Sequence, residues 1–232
     1  VNLLKLDEGE TIQTIINVQA EHDDNSYLFF TTRYGVVKRT SVTEFANIRQ
    51  NGLKALNLKD EDELINVFLT NDQADIIIGT KMGYAVRFNE NQVRNMGRAA
   101  TGVRGVNLRA GDHVVGASVI SDDQEVLVIT EKGYGKRTLA SEYATKSRGG
   151  KGMKTANITE KNGSLAGLMA VNGDEDLMII TNTGVIIRTN VANISQTGRA
   201  TLGVKVMRLD KGAQIVTFTS VVAENEKEVD EE

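Results

Sequence analysis

The chain has no cysteine, no proline and no tryptophan, and aromatic residues make up only 5% of its 232 residues. Without cysteine there are no disulfides and no thiolate metal sites, which fits a reducing compartment. Without proline, the turns fall to glycine, asparagine and aspartate. Long apolar runs are missing too. Stretches such as Leu165–Val171 are far too short to span a bilayer, and no charged-then-apolar leader opens the chain. A soluble cytoplasmic protein is expected. The first residue is Val1 rather than methionine, which fits a piece of something longer.

An excess of base, the usual footprint of a nucleic-acid binder, is also absent: the formal net charge is −4. The average conceals a local imbalance. Glu224–Glu232 carries six acids and one lysine, so without that −5 the remaining 223 residues come to about +1. Such an acidic, apolar-poor run reads as a disordered tail over 224–232.

What is present is a repeat. Gly35, Gly83, Gly133 and Gly184 follow one another at intervals of 48, 50 and 51 residues. Three residues before each stands a threonine (Thr32, Thr80, Thr130, Thr181), and four after each an arginine (Arg39, Arg87, Arg137, Arg188). A second glycine recurs at Gly52, Gly102, Gly152 and Gly203, followed by an apolar residue and a base: Leu53-Lys54, Val103-Arg104, Met153-Lys154, Val204-Lys205. Each unit predicts two strands joined by a tight turn, whose glycine supplies positive φ. A third strand follows the second glycine: Leu64–Leu69, Val114–Ile120, Leu165–Val171 and Ile215–Val222. The strands before the turn are apolar on both faces, as in sheets covered on both sides.

Four-stranded units repeated about every 50 residues describe an all-β, propeller-like disc. A β-sandwich is the alternative, but it needs no such period. Val1-Asn2-Leu3 matches Val106-Asn107-Leu108, and Ile12–Val18 matches the third strand. The expected organisation is therefore a partial blade over 1–24, then repeats at about 25–73, 74–123, 124–174 and 175–223.

Bases gather at repeated places. The five residues after each turn glycine hold Lys38, Arg39, Arg87, Lys136, Arg137 and Arg188. Ten-residue windows around each second glycine (45–54, 95–104, 145–154, 196–205) hold Arg49, Lys54, Arg98, Arg104, Lys146, Arg148, Lys151, Lys154, Arg199 and Lys205. None of these windows contains an acid, where an even spread would place about eight. Repeated around a disc, such positions form a basic belt suited to a polyanion.

The pattern Thr-x-x-Gly-x-x-x-Arg, with loops Gly97-Arg-Ala-Ala-Thr-Gly102 and Gly198-Arg-Ala-Thr-Leu-Gly203, resembles the C-terminal domain of the DNA gyrase A subunit. The resemblance covers nearly the whole chain apart from the acidic tail. It implies a β-pinwheel, usually of six blades, whose outer surface wraps duplex DNA in a positive sense so that the full enzyme introduces negative supercoils with ATP. It implies as partners double-stranded DNA, with little sequence preference, the rest of the gyrase A subunit, which it is joined to, and through that the gyrase B subunit. The expected setting is bacterial and nucleoid-associated, with a monomeric domain and no cofactor. The family's signature loop, Gln-Arg-Arg-Gly-Gly-Lys-Gly, belongs to its first blade. Here the nearest match is Ser147-Arg-Gly-Gly-Lys-Gly152, in the third complete repeat, so the true signature is expected upstream and the disc is expected to be truncated at its N-terminal side. The related topoisomerase IV subunit carries a similar domain and stays as an alternative. For the tail, solubility and competition with DNA for the basic face both stay open.

Other functions find little support. The two histidines, His22 and His113, stand in unrelated contexts and read as ordinary surface or turn residues. Asp23-Asp24, Asp60–Glu63 and Asp122-Asp123 lack calcium-loop spacing and read as loop solvation. Gly149-Gly150-Lys151-Gly152 lacks the spacer and ending of a phosphate loop. The five tyrosines fall on strands, turns and connections, and in the family DNA cleavage and ATP hydrolysis belong to other parts of the enzyme. No catalytic residue is expected. A propeller scaffold for protein partners is the remaining alternative; it would offer exposed aromatic or methionine anchors.

Overall fold

A computed structural model describes residue 9 and residues 11–16, 25–47 and 52–221. The partial blade over 1–24 falls largely outside the described residues, as do Arg49 and the acidic tail.

Among the described residues, fifteen strands follow the repeat. The first unit contributes β1 (Tyr27–Thr32), β2 (Val36–Ser41) and β3 (Leu64–Thr70). The second contributes β4 (Asp75–Thr80), β5 (Tyr84–Asn89), β6 (Val103–Arg104) and β7 (Val114–Ile120). The third contributes β8 (Glu125–Thr130), β9 (Tyr134–Leu139), β10 (Met153–Lys154) and β11 (Leu165–Val171). The fourth contributes β12 (Asp176–Thr181), β13 (Ile186–Asn190), β14 (Val204–Lys205) and β15 (Ile215–Val221). A short 3-10 turn follows β2, β5, β9 and β13.

The hairpin turns show why threonine and glycine recur. Gly35, Gly83, Gly133 and Gly184 all have φ between 76° and 83°, a region that costs an L side chain about 1–2 kcal/mol. In three units the threonine hydroxyl accepts from the amide one residue past the glycine: Val36 N to Thr32 Oγ1 at 3.2 Å, Tyr134 N to Thr130 Oγ1 at 3.2 Å, Val185 N to Thr181 Oγ1 at 3.1 Å. Two buried acids hold these turns, one of them, Asp62, from the group expected to be loop solvation. Asp62 accepts from Tyr34 N at 2.9 Å, and Asp112 accepts from Met82 N at 2.9 Å and from the Thr80 hydroxyl at 2.7 Å.

The sheets do not coincide with the repeats. Their strand orders are β3-β1-β2-β6, β10-β5-β4-β7, β11-β8-β9-β14 and β13-β12-β15. In three sheets the outermost strand is a two-residue piece lent by the next repeat: Val103 pairs with Val37, Met153 with Ala85, and Val204 with Gly135. The lent strand also caps the hairpin turn. Gly35 O accepts from Gly105 N and Val106 N, Gly83 O from Thr155 N and Ala156 N, Gly133 O from Val206 N and Met207 N. The last sheet has three strands among the described residues, and β13 forms its outer edge.

The innermost strands β3, β7, β11 and β15 line one central cavity, with β7 packed on both β3 and β11. Among the described residues, three cores lie between neighbouring sheets. Ile76 and Ile78 of β4 face the first sheet with Phe29, while Ile77 faces the third with Val126 and Val128. Leu127 and Ile129 then face the last sheet with Leu177 and Ile179. Alternation along one strand thus serves two interfaces. That is the reason these strands read as apolar throughout. The architecture is all-β: four small antiparallel sheets arranged as the blades of a propeller-like disc.

Candidate nucleic-acid interface

The second glycine of each repeat ends a loop that leads into the lent outer strand, so these loops sit on the outer edge of the disc. They are stitched together. Asn57 N donates to Ala100 O at 3.4 Å, Asn107 N to Gly150 O at 2.9 Å, and Asn157 N to Thr201 O at 3.0 Å, so each loop rests on the segment just past the preceding one. Gly149 N donates to Gly105 O at 2.8 Å. Arginine side chains add to the seam: Arg148 Nη1 donates to Arg104 O, and Arg199 Nη1 to Lys154 O at 3.4 Å. One continuous strip results.

Nine of the bases expected at the second glycine lie on this strip. Lys54, Arg104, Lys146, Lys151, Lys154 and Lys205 are exposed, and Arg98, Arg148 and Arg199 are half-buried at their loops. Lys54 and Lys154 occupy equivalent positions and make equivalent bonds, donating to Asn57 Oδ1 at 2.9 Å and Asn157 Oδ1 at 3.4 Å. The tenth, Arg49, lies outside the described residues.

The bases next to the turn glycine are placed differently, and here the expectation is corrected. Lys38, Arg39, Arg87 and Lys136 are buried, Arg137 is largely so, and Arg188 is half-exposed but ion-paired. Arg87 pairs with Asp75 at 2.9 Å and Asp122 at 2.8 Å, and donates to Ala140 O at 3.1 Å. Arg137 pairs with Glu125 and donates to Ile194 O at 2.8 Å, and Arg188 pairs with Asp176 at 2.8 Å. Arg39 pairs with Asp72 and stacks on Tyr27, which stands where the other units have an acid. The acids come from outside the base-rich windows: the start of the unit's first strand, the connection after its third strand, or, for Glu90 beside Arg39, the 3-10 turn of the next repeat. Each of Arg39, Arg87 and Arg137 also reaches the 3-10 turn of the next repeat, so this position fastens blade to blade.

Lys38 and Lys136 make no ion pair among the described residues. Lys38 Nζ donates to Ala55 O at 2.5 Å and to Arg98 O; Lys136 Nζ donates to Gly198 O at 2.7 Å, Arg199 O and Thr201 Oγ1 at 3.1 Å. Burial is the main reason both ammonium groups are brought down to about 8. Arg98 pushes Lys38 further in that direction and Glu44 opposes it. For Lys136, Glu142 opposes and Arg199 adds.

Two participants escaped the sequence reading. Arg109 lies flat on Tyr84, 3.3 Å from the ring centroid, and its Nη1 donates to Lys151 O at 2.6 Å. Gln92 accepts from Arg148 N at 2.7 Å and donates to Lys146 O at 3.2 Å. Neither falls in a base-rich window, and only their offset from the repeat glycines hints at them. Among the described residues no group of three His, Asp or Glu side chains is placed to hold a metal ion, and no helix is long and apolar enough to cross a membrane.

Comparison with known proteins converges on one family. The model of the DNA gyrase C-terminal domain, beta-propeller, matches residues 26–71, 74–121, 124–172 and 175–221. The chain is 78% identical over 229 residues to the DNA gyrase A subunit of Streptococcus pneumoniae, covering 99% of the chain and 28% of that protein. It is 59% identical over 232 residues to the DNA gyrase A subunit of Halalkalibacterium halodurans, again 28% of that protein. The chain thus spans a little over a quarter of the length of these relatives. Among solved structures, a DNA gyrase A C-terminal domain aligns with a TM-score of 0.84 and 28% identity, over 95% of this chain and 73% of that one. A DNA topoisomerase IV C-terminal domain aligns with a TM-score of 0.89 and 27% identity, over 97% and 70%. With repeat and fold in agreement with these matches, the chain belongs to the DNA gyrase C-terminal domain family.

Proposed function

We propose that the chain binds duplex DNA along its outer rim and bends it around the disc, as the wrapping part of a type II topoisomerase that introduces negative supercoils with ATP. The observation that carries the reading is the strip of stitched loops with nine bases on it. Regularly placed cations on a convex edge meet phosphates, which occur about every 1.7 Å along a duplex. Such contacts position DNA without reading its bases, so selectivity rests on how easily the duplex bends. Bending a few tens of base pairs costs about 1–6 kcal/mol, which several phosphate contacts offset.

In this reading the chain contributes geometry and no catalytic group. DNA cleavage falls to the remainder of a gyrase A subunit, ATP hydrolysis to the gyrase B subunit. The domain itself is monomeric and works in the bacterial nucleoid. A topoisomerase IV role is the second reading, favoured by the TM-score of 0.89. A gyrase-type wrap shifts the linking number of a plasmid relaxed and sealed with the protein bound, in the positive direction. No shift on a plasmid that is nevertheless bound supports the topoisomerase IV role.

Reversing Arg98, Arg148 and Arg199 to Glu is expected to weaken duplex binding about 100-fold or more at low salt while the thermal transition survives. Unchanged affinity in a gel-shift titration would falsify the rim as the DNA site.

A further inference from the structure

Lys38 and Lys136 are the only fully buried lysines among the described residues, and neither has a carboxylate within ion-pairing distance. Burying an ammonium without a counter-charge is costly, so the position needs a reason. The fold does not supply one. In the other two repeats the same register position holds Val86, paired with Ile78, and Ile187, paired with Ile179, and both hairpins form.

A second position changes in step with it. Six residues on, the repeats with lysine carry Glu44 and Glu142, while those without carry Gln92 and Asn193. The charged combination occurs twice and the neutral one twice, with no mixed case. Above the lysines lie rim loops of alanine-containing sequence, Gly97–Gly102 and Gly198–Gly203. Above Val86 lies the Gly149-Gly150 loop, with a cleft beneath it lined by Val86, Gly150 and Lys151. There Gln92 does the holding from the side.

We propose that Lys38 and Lys136 are positioning residues of the DNA rim: each ammonium, sunk under a loop of the next repeat, draws the loop carbonyls inward and thereby fixes where Arg98 or Arg199 stands. This rests on the rim being the DNA site. Atom counting supports it for Lys136, whose three N–H groups match three acceptors, Gly198 O, Arg199 O and Thr201 Oγ1. A neutral amine has only two donors and must release one acceptor.

The groups facing Lys38 are the Phe30 ring at 5.2 Å, Glu44 and Arg98; those facing Lys136 are Glu142 and Arg199. Loss of either ammonium proton above pH about 8 therefore slackens the loop while the arginines keep their charge.

The test uses the whole chain with Lys38→Met and Lys136→Met together, and a random-sequence duplex as probe. At neutral pH the double variant should bind roughly five- to tenfold more weakly and with a shallower salt dependence. The parent should weaken further as pH rises from about 7 to about 9, and the variant should not. Conversely, Val86→Lys with Gln92→Glu should add this pH dependence to the double variant.

Amide proton exchange at Gly198–Thr201, measured without DNA, reads the loops directly. Faster exchange there in the variant, with the strands of the third sheet unchanged, is the expected result. Parent and variant alike in both affinity profile and loop exchange would overturn the proposal. If the parent itself fails to bind duplex, the rim reading falls, and loop exchange still decides whether the lysines set the loops.

Discussion

Arg39, Arg87, Arg137 and Arg188 show how little a side chain's type says about its destination. All four stand four residues past a turn glycine and all four pair with acids, while Arg87 and Arg137 also bond the backbone of the next repeat. Replacing Arg87 by Met should leave Asp75 partly buried without its partner and cost about 3 kcal/mol in denaturant unfolding. Duplex affinity of the folded variant should stay within about twofold of the parent, since the lost cation faces inward. Unchanged stability with a large loss of affinity would return Arg87 to the DNA site. The two buried lysines make the opposite kind of prediction. Their folded-state value of about 8 lies below the ordinary 10.5, so above pH 8 the unfolded chain holds protons that the folded one has released. Stability should therefore rise between pH 8 and 10, by at most about 1.4 kcal/mol per pH unit for each lysine. The Lys38→Met, Lys136→Met variant should lack that rise in thermal melts across the range. None of this was legible from windows free of acids. The neutralising groups enter from the unit's first strand or from the connection after its third.

At the scale of elements, the lent strand joins one repeat to the next, and glycine geometry isolates its contribution. Gly133 and Gly184 share a φ of 81°, so an alanine at either meets the same backbone penalty. A Cβ at Gly133 would lie 2.6 Å from Met207 O of the lent segment, whereas at Gly184 nothing stands within 4 Å. Gly133→Ala should therefore be more destabilising than Gly184→Ala by at least about 1 kcal/mol, the usual scale of overpacking. Equal losses in parallel urea titrations would mean that the lent strand contributes nothing at that site. The hairpins and third strands were legible because glycine spacing and apolar runs mark them directly. The exchange was not. A strand of two residues such as Val103-Arg104 has no periodicity of its own, and its partners Val36 and Val37 lie in another repeat. What the sequence showed as a Gly-apolar-base signature was the lent strand, whose next two amides donate to the turn-glycine carbonyl; that acceptor carries no side-chain mark.

For the molecule as a whole, the question is how many cations a bound duplex can meet at once. The sequence offered sixteen, and it read the repeated loops at Arg98, Arg148 and Arg199 as part of one belt because equivalent positions fall on one circumference. The structure divides that set by depth. Nine stand on the rim strip, six belong to the turn-glycine position, where five are wholly or largely buried and Arg188 is half-exposed in an ion pair, and Arg49 lies outside the described residues. Counterion release turns this division into a measurable slope. Each phosphate neutralised contributes about −0.9 to the dependence of log affinity on log salt. The nine rim cations and Arg109 set a ceiling near −9, Arg49 would extend it to about −10, and a belt that also used the six inner bases would approach −15. A titration between low and moderate salt should thus give a slope no steeper than about −10, falling by about 1 for each rim base removed. Removal of Arg137 should leave the slope unchanged even where it lowers stability, because its charge is matched by Glu125 and by the carbonyl of Ile194. A slope well beyond about −10 for the parent chain would require the inner arginines to leave their acids on binding, and the blades to part where those arginines now fasten them.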